Sequence, residues 1–271
     1  MKFLPTTKEE MKNLGWDSID VLLISGDTYL DTSYNGSALV GKWLVEHGFK
    51  VGIIAQPEVD IPEDITRLGE PNLFFAVSGG CVDSMVANYT ATKKRRQQDD
   101  FTPGGVNNKR PDRAVLVYSN MIRRFFKGTT KKIVISGIES SLRRITHYDY
   151  WTNKLRKPIL FDAKADILSY GMGEMSMLQL ANALKNGEDW KNIRGLCYLS
   201  KEVKEEYLPL PSHSECLADK DKFIEAFHTF YLNCDPITAK GLCQKCDDRY
   251  LIQNPPSESY SEEIMDKIYS M

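Results

Sequence analysis

A dense run of chemically active side chains lies near the middle of the chain, at residues 136–151. It contains a carboxylate (Glu139), two arginines (Arg143 and Arg144), a histidine (His147), hydroxyls and aromatic rings, and it directly follows an apolar, strand-like stretch. Ligands of α/β proteins bind outside the carboxyl ends of parallel strands, where polar side chains of this kind collect. The run therefore predicts a ligand site at the end of this strand.

Two interpretations of this run stay open. If the run is helical, Arg143 and His147 share one face with Arg144 beside them. The cations would then bind an anion, Glu139 would accept from a ribose hydroxyl or an arginine, and His147 would serve as acid or base. Alternatively, Arg144, Glu139 and Asp149 form an internal salt-bridge network, in which case Arg144→Ala unfolds the chain rather than abolishing ligand binding.

Further candidates follow other predicted strands. Asp27 lies in the Ser-Gly-Asp turn after the first strand, and Ser78, Gly79 and Asp83 follow the third strand, where glycine N–H groups could bind an anion. Glu174 follows a Gly-Met-Gly turn at a predicted helix start, where a carboxylate caps the helix. Capping is the alternative for Asp27 and the preferred interpretation of Glu174. Neither G-x-G-x-x-G nor a P-loop motif occurs.

Apolar strand-like runs alternate with amphipathic, helix-like stretches through the first 200 residues. This alternation predicts an open, mostly parallel, doubly wound α/β sheet of the Rossmann-like class. The predicted strands are 20–26, 49–55, 73–78, 132–136, 165–170 and 193–199, and the predicted helices are 36–47, 81–89, 113–126, 174–184 and 219–233.

The rhythm breaks after residue 200. We therefore predict two regions: a Rossmann-like domain over 1–200, and a helical or irregular linker segment over 201–271. The net charge is −2, so there is no electrostatic signature of nucleic-acid binding. No apolar run reaches the about 20 residues of a membrane span, and the N-terminus lacks a signal-peptide core, so a cytoplasmic location is expected.

Two other features could carry chemistry. The polar loop 91–111 contains four consecutive cations (93–96), which either hold a phosphate or carboxylate or form a solvated face. Cys243 and Cys246 have C-x2-C spacing, but a closed metal site needs four ligands, so the pair is a weak metal candidate. Cys81 is a weak candidate nucleophile, because a lone cysteine is more often a packing residue.

A set of uncommon sequence words occurs in order along the chain. These words are Phe3 to Thr7, Leu14 to Trp16, Gly52 to Pro57, Asp83 to Val86, Tyr89 to Arg96, Pro103 to Gly105, Arg110 to Arg113, Gly137 to Glu139, Ser141 to Arg144, His147 to Trp151, Tyr170 to Glu174 and Gln253 to Pro256. With them the chain resembles the YgiQ-type radical S-adenosylmethionine (SAM) proteins over its whole length.

The resemblance implies that this region is the family's N-terminal domain, a relative of cobalamin-binding α/β domains. It also implies a catalytic barrel, in which a C-x3-C-x2-C motif holds a [4Fe–4S] cluster that cleaves S-adenosylmethionine to a 5′-deoxyadenosyl radical. The barrel would be a partner in cis or a separate chain. Met271 lies about where that barrel would begin, so we expect a fragment, a split-gene product or the N-terminal region of a longer protein.

The chain departs from the family pattern at the cluster motif. Ala239 stands where a motif ending in Cys243 and Cys246 would need its first cysteine. We therefore expect this chain alone to bind no cluster. The D-x-H-x-x-G motif that supplies an axial histidine to cobalamin is also absent, although base-off binding without a histidine stays open.

Two functions follow from the sequence. The first is an accessory domain of a YgiQ-like radical SAM enzyme that presents a substrate or cofactor to the barrel, with its docking surface after residue 199. The second is a self-standing α/β protein that binds or hydrolyses an anionic, nucleotide-like ligand, held by Arg143, Arg144 and cations 93–96. The sequence does not decide whether the chain alone is an enzyme.

Overall fold

Nine strands of the described residues form one mixed sheet. The computed structural model describes residues 3–30 and 36–271. The strands of the large sheet are β1 (Val21–Ser25), β2 (Val51–Ala55), β3 (Phe74–Ser78), β4 (Lys132–Ser136), β7 (Ile167–Ser169), β8 (Leu196–Ser200), β9 (Leu208–Leu210), β10 (Leu242–Cys246) and β11 (Arg249–Gln253); β5 (His147–Asp149) and β6 (Lys154–Arg156) form a separate antiparallel pair.

The strand order of the large sheet is β2-β1-β3-β4-β7-β8-β11-β10-β9. The first five strands in this order are parallel, whereas β8, β11 and β10 pair antiparallel with their neighbours on the β7 side. The parallel strands are continuous apolar runs because helices cover both of their faces. The prediction of an open, mostly parallel α/β sheet is confirmed.

Helices pack on both faces of this sheet. The helices are α1 (Lys8–Asn13), α2 (Gly36–Glu46), α3 (Pro62–Thr66), α4 (Ser84–Asn88), α5 (Ala114–Phe125), α6 (Gly137–Ser141), α7 (Ile159–Ala163), α8 (Glu174–Asn186), α9 (His213–Ala218), α10 (Lys220–Tyr231) and α11 (Glu262–Tyr269). Side chains of α1, α3, α5 and α7 build the core on one face, and side chains of α2, α8 and α11 build the core on the other.

The chain reverses its direction across the sheet at β1. Strand β1 lies between β2 and β3, so the connection from β1 to β2 leads one way and the connection from β2 to β3 returns past β1 to the other side. Such a switch point leaves a crevice beyond the carboxyl ends of the two central strands. The fold therefore provides a crevice beyond β1 and β3.

The segment after residue 200 is more regular than the sequence indicated. It contributes three strands to the same sheet, and β10 and β11 form a hairpin. Edge strand β9 is only three residues long and contains Pro209, which is a common way to protect a sheet edge. The division of the chain at residue 200 stays a prediction, but the expectation of an irregular segment missed these strands.

The helix expected to carry both Arg143 and His147 is not formed. Helix α6 has five residues and ends at Ser141, and His147 begins β5. The two side chains therefore do not share a helical face, and this prediction is wrong. None of the helices within residues 3–30 and 36–271 combines the length and the hydropathy that crossing a membrane requires.

Candidate functional site

Four adjacent parallel strands each end in a serine. Ser25 of β1 pairs with Ser78 of β3, and Ser78 pairs with Ser136 of β4. Since Leu168 of β7 pairs with the residue before Ser136, Ser169 takes the next place. Residues of in-register parallel strands point to the same face, so the four side chains form one row on the α2–α8 face. We call them the serine row.

A cavity of about 260 Å³ opens at the serine row. Its apolar floor is the top of the core between the sheet, α2 and α8, and its rim includes the first residues of α2, α6 and α8. The residues that line it are Leu23, Ser25, Asp27, Gly36, Ser37, Val40, Ala76, Ser78, Gly80, Cys81, Ser136, Gly137, Ile138, Ser169, Gly171, Met172, Gly173, Glu174 and Met177. This is the crevice that the switch point predicts.

The turns after β1 and β3 lie against each other at this cavity. A Cβ added to Gly26 would lie 2.1 Å from the carbonyl oxygen of Gly79, and one added to Gly80 would lie 2.2 Å from a carboxylate oxygen of Asp27. Gly80 also has a φ of +112°, which side-chain-bearing residues rarely adopt. Glycines are therefore needed here to bring the two turns together.

Arg110 and Asp27 form a buried ion pair beneath these turns. The guanidinium of Arg110 is 2.7 Å from Asp27 and 3.3 Å from Asp99, and it donates to the carbonyl oxygen of Gly79 at 3.0 Å. The second oxygen of Asp27 accepts from the backbone N–H of Cys81 at 2.6 Å. The charge of Asp27 is thus compensated, and the loop before Arg110 is fixed to the crevice.

Glu139 joins the first turns of two helices behind the serine row. Its carboxylate accepts from the backbone N–H of Ser84, in α4, at 3.0 Å, and from that of Val115, in α5, at 3.1 Å. Helix N-termini leave such N–H groups without partners and favour a negative charge. Burial raises the pKa of Glu139. The side chain has a structural role here as a shared cap.

The cavity lining carries carboxylates but no cation. Glu174 accepts from the hydroxyl of Tyr260 at 2.8 Å and makes no salt bridge within the described residues. None of the lining residues is Lys, Arg or His, and the five residues 31–35, which lie outside the described residues, include none either. The hydroxyl of Ser136 makes no hydrogen bond within the part of the chain that the structure describes. The site thus offers hydroxyls, a carboxylate at the N-terminus of α8 that has no salt-bridge partner among the described residues, and an apolar floor.

A sequence model named Radical SAM N-terminal matches residues 3–271. The chain belongs to this family. It is 97% identical, over all 271 residues, to a UPF0313 protein of Fusobacterium nucleatum, and the match covers 48% of that protein. A UPF0313 protein of Thermotoga neapolitana is 51% identical, and the match covers 98% of this chain and 47% of that protein. A UPF0313 protein of Methanocaldococcus jannaschii is 48% identical, and the match covers 99% of this chain and 45% of that protein.

The chain thus spans about half the length of the curated relatives that it matches. Among solved structures, it is similar to the radical SAM methyltransferase TsrM of Kitasatospora setae, whose structures contain tryptophan and a SAM analogue in one case and cobalamin and a [4Fe–4S] cluster in the other. The sequence identity is 17% for both structures. The first has a TM-score of 0.44, and the match covers 66% of this chain and 28% of TsrM. The second has a TM-score of 0.45, and the match covers 67% of this chain and 27% of TsrM.

Three of the predicted site residues line the cavity, namely Asp27, Ser78 and Glu174. Gly79 lies directly beneath it in the packed turns. Asp83 caps α4 and pairs with Arg143, which also donates to the backbone carbonyl of Glu139. The structure therefore brings Asp27, Asp83 and Arg143 to the same side of the molecule, although only Asp27 lines the cavity.

Arg144 is buried in the core and lies outside the cavity lining. It is 8% exposed, and its guanidinium lies between the rings of Tyr170 and Phe230, 4.5 and 4.3 Å from their centres. It donates to the side chain of Gln253 at 3.0 Å and to the carbonyl oxygen of Ser141. The proposed salt-bridge network is wrong in its partners, since no carboxylate of the described residues pairs with Arg144.

His147 and Asp149 lie on β5, outside the cavity lining. Burial lowers the pKa of His147 to about 4, against the effect of a hydrogen bond with the carbonyl of Ile145. Burial alone would raise the pKa of Asp149, but hydrogen bonds from Thr152 and Arg113 outweigh it and lower the value to about 2. At neutral pH the histidine is therefore uncharged and the aspartate is ionised.

The cation run 93–96 is used within the protein. Lys93 donates to the carbonyl of Trp151 and lies 5.4 Å from the centre of its ring, so it fixes the loop to the β5–β6 pair. Arg95 lies over Tyr89, and Arg96 donates to the carbonyl of Tyr89. The phosphate-binding interpretation of the run finds no support in these contacts.

The cysteines do not assemble a metal site. Cys243 and Cys246 are three residues apart on one strand, so their side chains point to opposite faces of the sheet. Within the described ranges, no group of three His, Cys, Asp or Glu side chains is arranged to hold a metal ion. Burial raises the pKa of Cys81 and of Cys246 to about 12, so neither is a thiolate at neutral pH.

A wider hollow of about 790 Å³ lies beside β10 and α9. Several of its polar and charged side chains already have partners, since Lys157 pairs with Asp247 and His213 bonds with Thr146 at 3.0 Å. It also lies at the ends of β9 and β10, away from the carboxyl ends of the parallel strands β1, β3, β4 and β7. The cavity at the serine row is therefore the better candidate site.

The sequence analysis missed most of the serine row. It singled out Ser78, but not Ser25, Ser136 and Ser169 as a set. The signal was present, since Ser-Gly follows the apolar run in β1, β3 and β4. A repeated dipeptide at successive strand ends predicts one polar row across a parallel sheet.

Gly26→Ala is expected to lower the free energy of unfolding by about 1–3 kcal/mol or more, because the new methyl group meets a backbone oxygen that cannot move away cheaply. Gly36→Ala is the matched control, since Gly36 also lines the cavity but a Cβ there meets no atom of residues 3–30 or 36–271 within 4 Å. Urea unfolding measures both. Equal stability of the two variants would contradict the close approach of the turns.

Arg144→Ala is expected to destabilise the chain by about 2–4 kcal/mol, since it removes a stacked, hydrogen-bonded core side chain. Lys222→Ala, which removes one partner of an exposed ion pair with Glu225, is expected to cost less than about 1 kcal/mol. The readout is again urea unfolding. An Arg144→Ala protein as stable as the unchanged chain would contradict this structural role.

His147 is expected to make stability pH-dependent. Because its pKa is about 4 in the folded chain and about 6.5 when unfolded, the unfolded state takes up the proton first as pH falls. Stability should therefore drop by about 1–3 kcal/mol between pH 6.5 and pH 4. His147→Gln should flatten this part of the pH profile of unfolding, and an unchanged slope would show that the side chain is solvated.

Proposed function

We propose that this chain is the ligand-binding half of a YgiQ-like radical SAM enzyme, which holds a small polar molecule at the serine row and presents it to a catalytic barrel. The observation that carries the proposal is the row itself, with four hydroxyl side chains at the ends of four adjacent strands around one cavity. Convergent polar groups over an apolar floor are typical of small-molecule sites.

We propose further that the ligand is uncharged or carries an amine. A phosphate or carboxylate would find no cationic side chain in the lining. The helix N-termini at the rim favour negative charge, but Glu174 already occupies that of α8 and has no salt-bridge partner among the described residues, so it would repel an anion. Serine hydroxyls and a carboxylate instead suit hydroxyl and amine groups. The second function expected from the sequence, with an anionic ligand held by arginines, loses support because Arg143 and Arg144 are paired or stacked elsewhere.

A corrinoid is not supported by these residues. The cavity of about 260 Å³ is smaller than the about 300–1,000 Å³ typical of drug-sized ligands, and a corrin with its nucleotide is larger than such ligands. No histidine lines the cavity, so a corrinoid would have to bind without an axial histidine from this lining. We therefore assign no cobalamin role to this chain.

In this proposal, the radical reaction takes place in the part of the longer relatives that lies outside the match with this chain. Cys243 and Cys246 face opposite sides of β10, so they cannot bind one iron–sulfur cluster together. The [4Fe–4S] cluster and S-adenosylmethionine would accordingly be bound by a barrel in cis, with no nucleic acid or membrane as partner. The cytoplasmic location expected from the sequence stays a prediction.

A ligand screen with a matched variant pair tests the proposal. Fragments in uncharged, cationic and anionic sets are screened by ligand-observed NMR against the chain, Ser136→Val and Ser200→Val. Ser200 is the control because it also ends a strand, but β8 runs antiparallel to β7 and ends at the opposite edge of the sheet. We expect uncharged or cationic hits that Ser136→Val weakens about tenfold or more by loss of a hydrogen bond to a buried group.

Two outcomes would contradict the proposal. If no hit is sensitive to Ser136→Val, the cavity is not a ligand site. If the sensitive hits are mainly anionic, the site exists but its charge preference is the reverse of the one argued here. Glu174→Gln distinguishes these cases further, since removing the carboxylate should weaken cationic hits and improve anionic ones.

A further inference from the structure

We propose that the outer face of α10, formed by Ile224, Phe227 and Tyr231, is the surface on which the catalytic half of the longer protein docks. These residues are spaced i, i+3 and i+7, so they lie on one side of the helix. Their exposed fractions are 61%, 54% and 67%. The rings of Phe227 and Tyr231 are stacked, with centres 6.5 Å apart.

Helix α10 is apolar on two sides. Its inner side packs on the sheet through Ala226, which is buried, and Phe230, which contacts the core. A helix that covers a core normally exposes a polar outer side, and one that is apolar all round is buried in a larger body. The outer face of α10 therefore lacks a cover among the described residues.

The exposed apolar surface continues beyond the helix. The flanking residues Leu217, Leu232 and Ile237 are 58%, 60% and 89% exposed. Scattered exposed apolar residues are normal, but a series of them within one short segment marks an interaction surface. Of the charged residues of α10, Lys222 and Glu225 pair with each other, and Lys220 and Asp221 lie in the first turn. The rest of the face is apolar, so it favours an apolar partner rather than an anionic one.

The length of the relatives identifies the occupant. A protein 97% identical to this chain over all its residues has about as much polypeptide again outside the match. The outer face of α10 is a surface that such a second half would cover permanently, since lasting interfaces are the apolar ones. A second copy of this chain is the competing occupant, which the experiment distinguishes.

The location of α10 suits this occupant. Phe230 on its inner side stacks on Arg144, and Arg144 stacks on Tyr170, which directly follows β7 at the edge where the cavity opens. Next to Tyr170 along the chain, Met172 lines the cavity and is 49% exposed. Helix α10 and the cavity lie on opposite faces of the sheet but meet at the same edge, so a body docked on α10 that extends over this edge would reach the cavity mouth.

Hydroxyl-radical footprinting tests the proposal. It compares this chain with the full-length Fusobacterium nucleatum relative carrying residues 1–271 of this chain. We expect the oxidation rates of Phe227 and Tyr231 to fall by about an order of magnitude in the long protein, as for side chains in a water-free interface core. Leu14, 40% exposed at the end of α1 beside the opposite edge of the sheet, is the internal reference and should react equally in both.

Each other outcome overturns the proposal. Equal oxidation of Phe227 in both proteins means that the second half does not cover α10. Protection in the 271-residue chain alone that rises with protein concentration means that a second copy covers it. As a second readout, Phe227→Asp should lower the Tm of the long protein but not that of this chain. The control Leu14→Asp should change the Tm of both proteins equally. Equal effects of Phe227→Asp on the two proteins would also contradict docking.

Discussion

The in-register parallel pairing of β1, β3, β4 and β7 is the constraint on which the candidate site depends. Strand residues alternate between the two faces, so a slip of one residue would move every strand-end serine to the other side of the sheet. The core prevents this slip, because Leu23, Ala76, Val134 and Ile167 are buried on the same face, two residues before the respective serines. The packing of the apolar core thus aligns the hydroxyls, and a polar row is obtained while the interior positions of these four strands stay apolar.

The sequence analysis predicted the strands and turns, which depend on neighbouring residues, but it failed for side-chain contacts between residues far apart in the chain. The parallel strands and their glycine turns follow from apolar runs, and the structure confirms them. The roles of the arginines do not follow, since Arg143 meets Asp83 at a separation of 60 residues and Arg144 meets Gln253 at a separation of 109. The β10–β11 hairpin was missed because its strands are polar and short, although Asp247, with a φ of +55°, occupies a turn position that aspartate tolerates.

Several of the short sequence motifs that carry the family resemblance contain residues that connect distant parts of the fold. Arg144 links α6 to Gln253 at the end of β11, and the adjacent Asn254 donates to the carbonyl oxygens of Lys191 and Ile193. The hydroxyl of Tyr170 donates to the carbonyl of Asn254. These contacts fasten the parallel half of the sheet to the antiparallel half. An unusual sequence motif therefore does not by itself indicate a catalytic or binding role. In these motifs the buried hydrogen bonds explain why the particular residue types are needed.

The two proposals are linked by one stack of side chains. Phe230, Arg144 and Tyr170 connect the α10 helix to the turn that lines the cavity, with Arg144 held between the two rings. A partner that restricts α10 would restrict this turn as well and so change the affinity for a ligand. Because coupling between two sites is reciprocal, a ligand that orders the turn would change the affinity for the docked partner by the same free energy. Closure by a docked half would also exclude water and strengthen the hydrogen bonds of the serine hydroxyls. Recognition of the ligand and assembly with the catalytic half would then be one coupled equilibrium rather than two independent events.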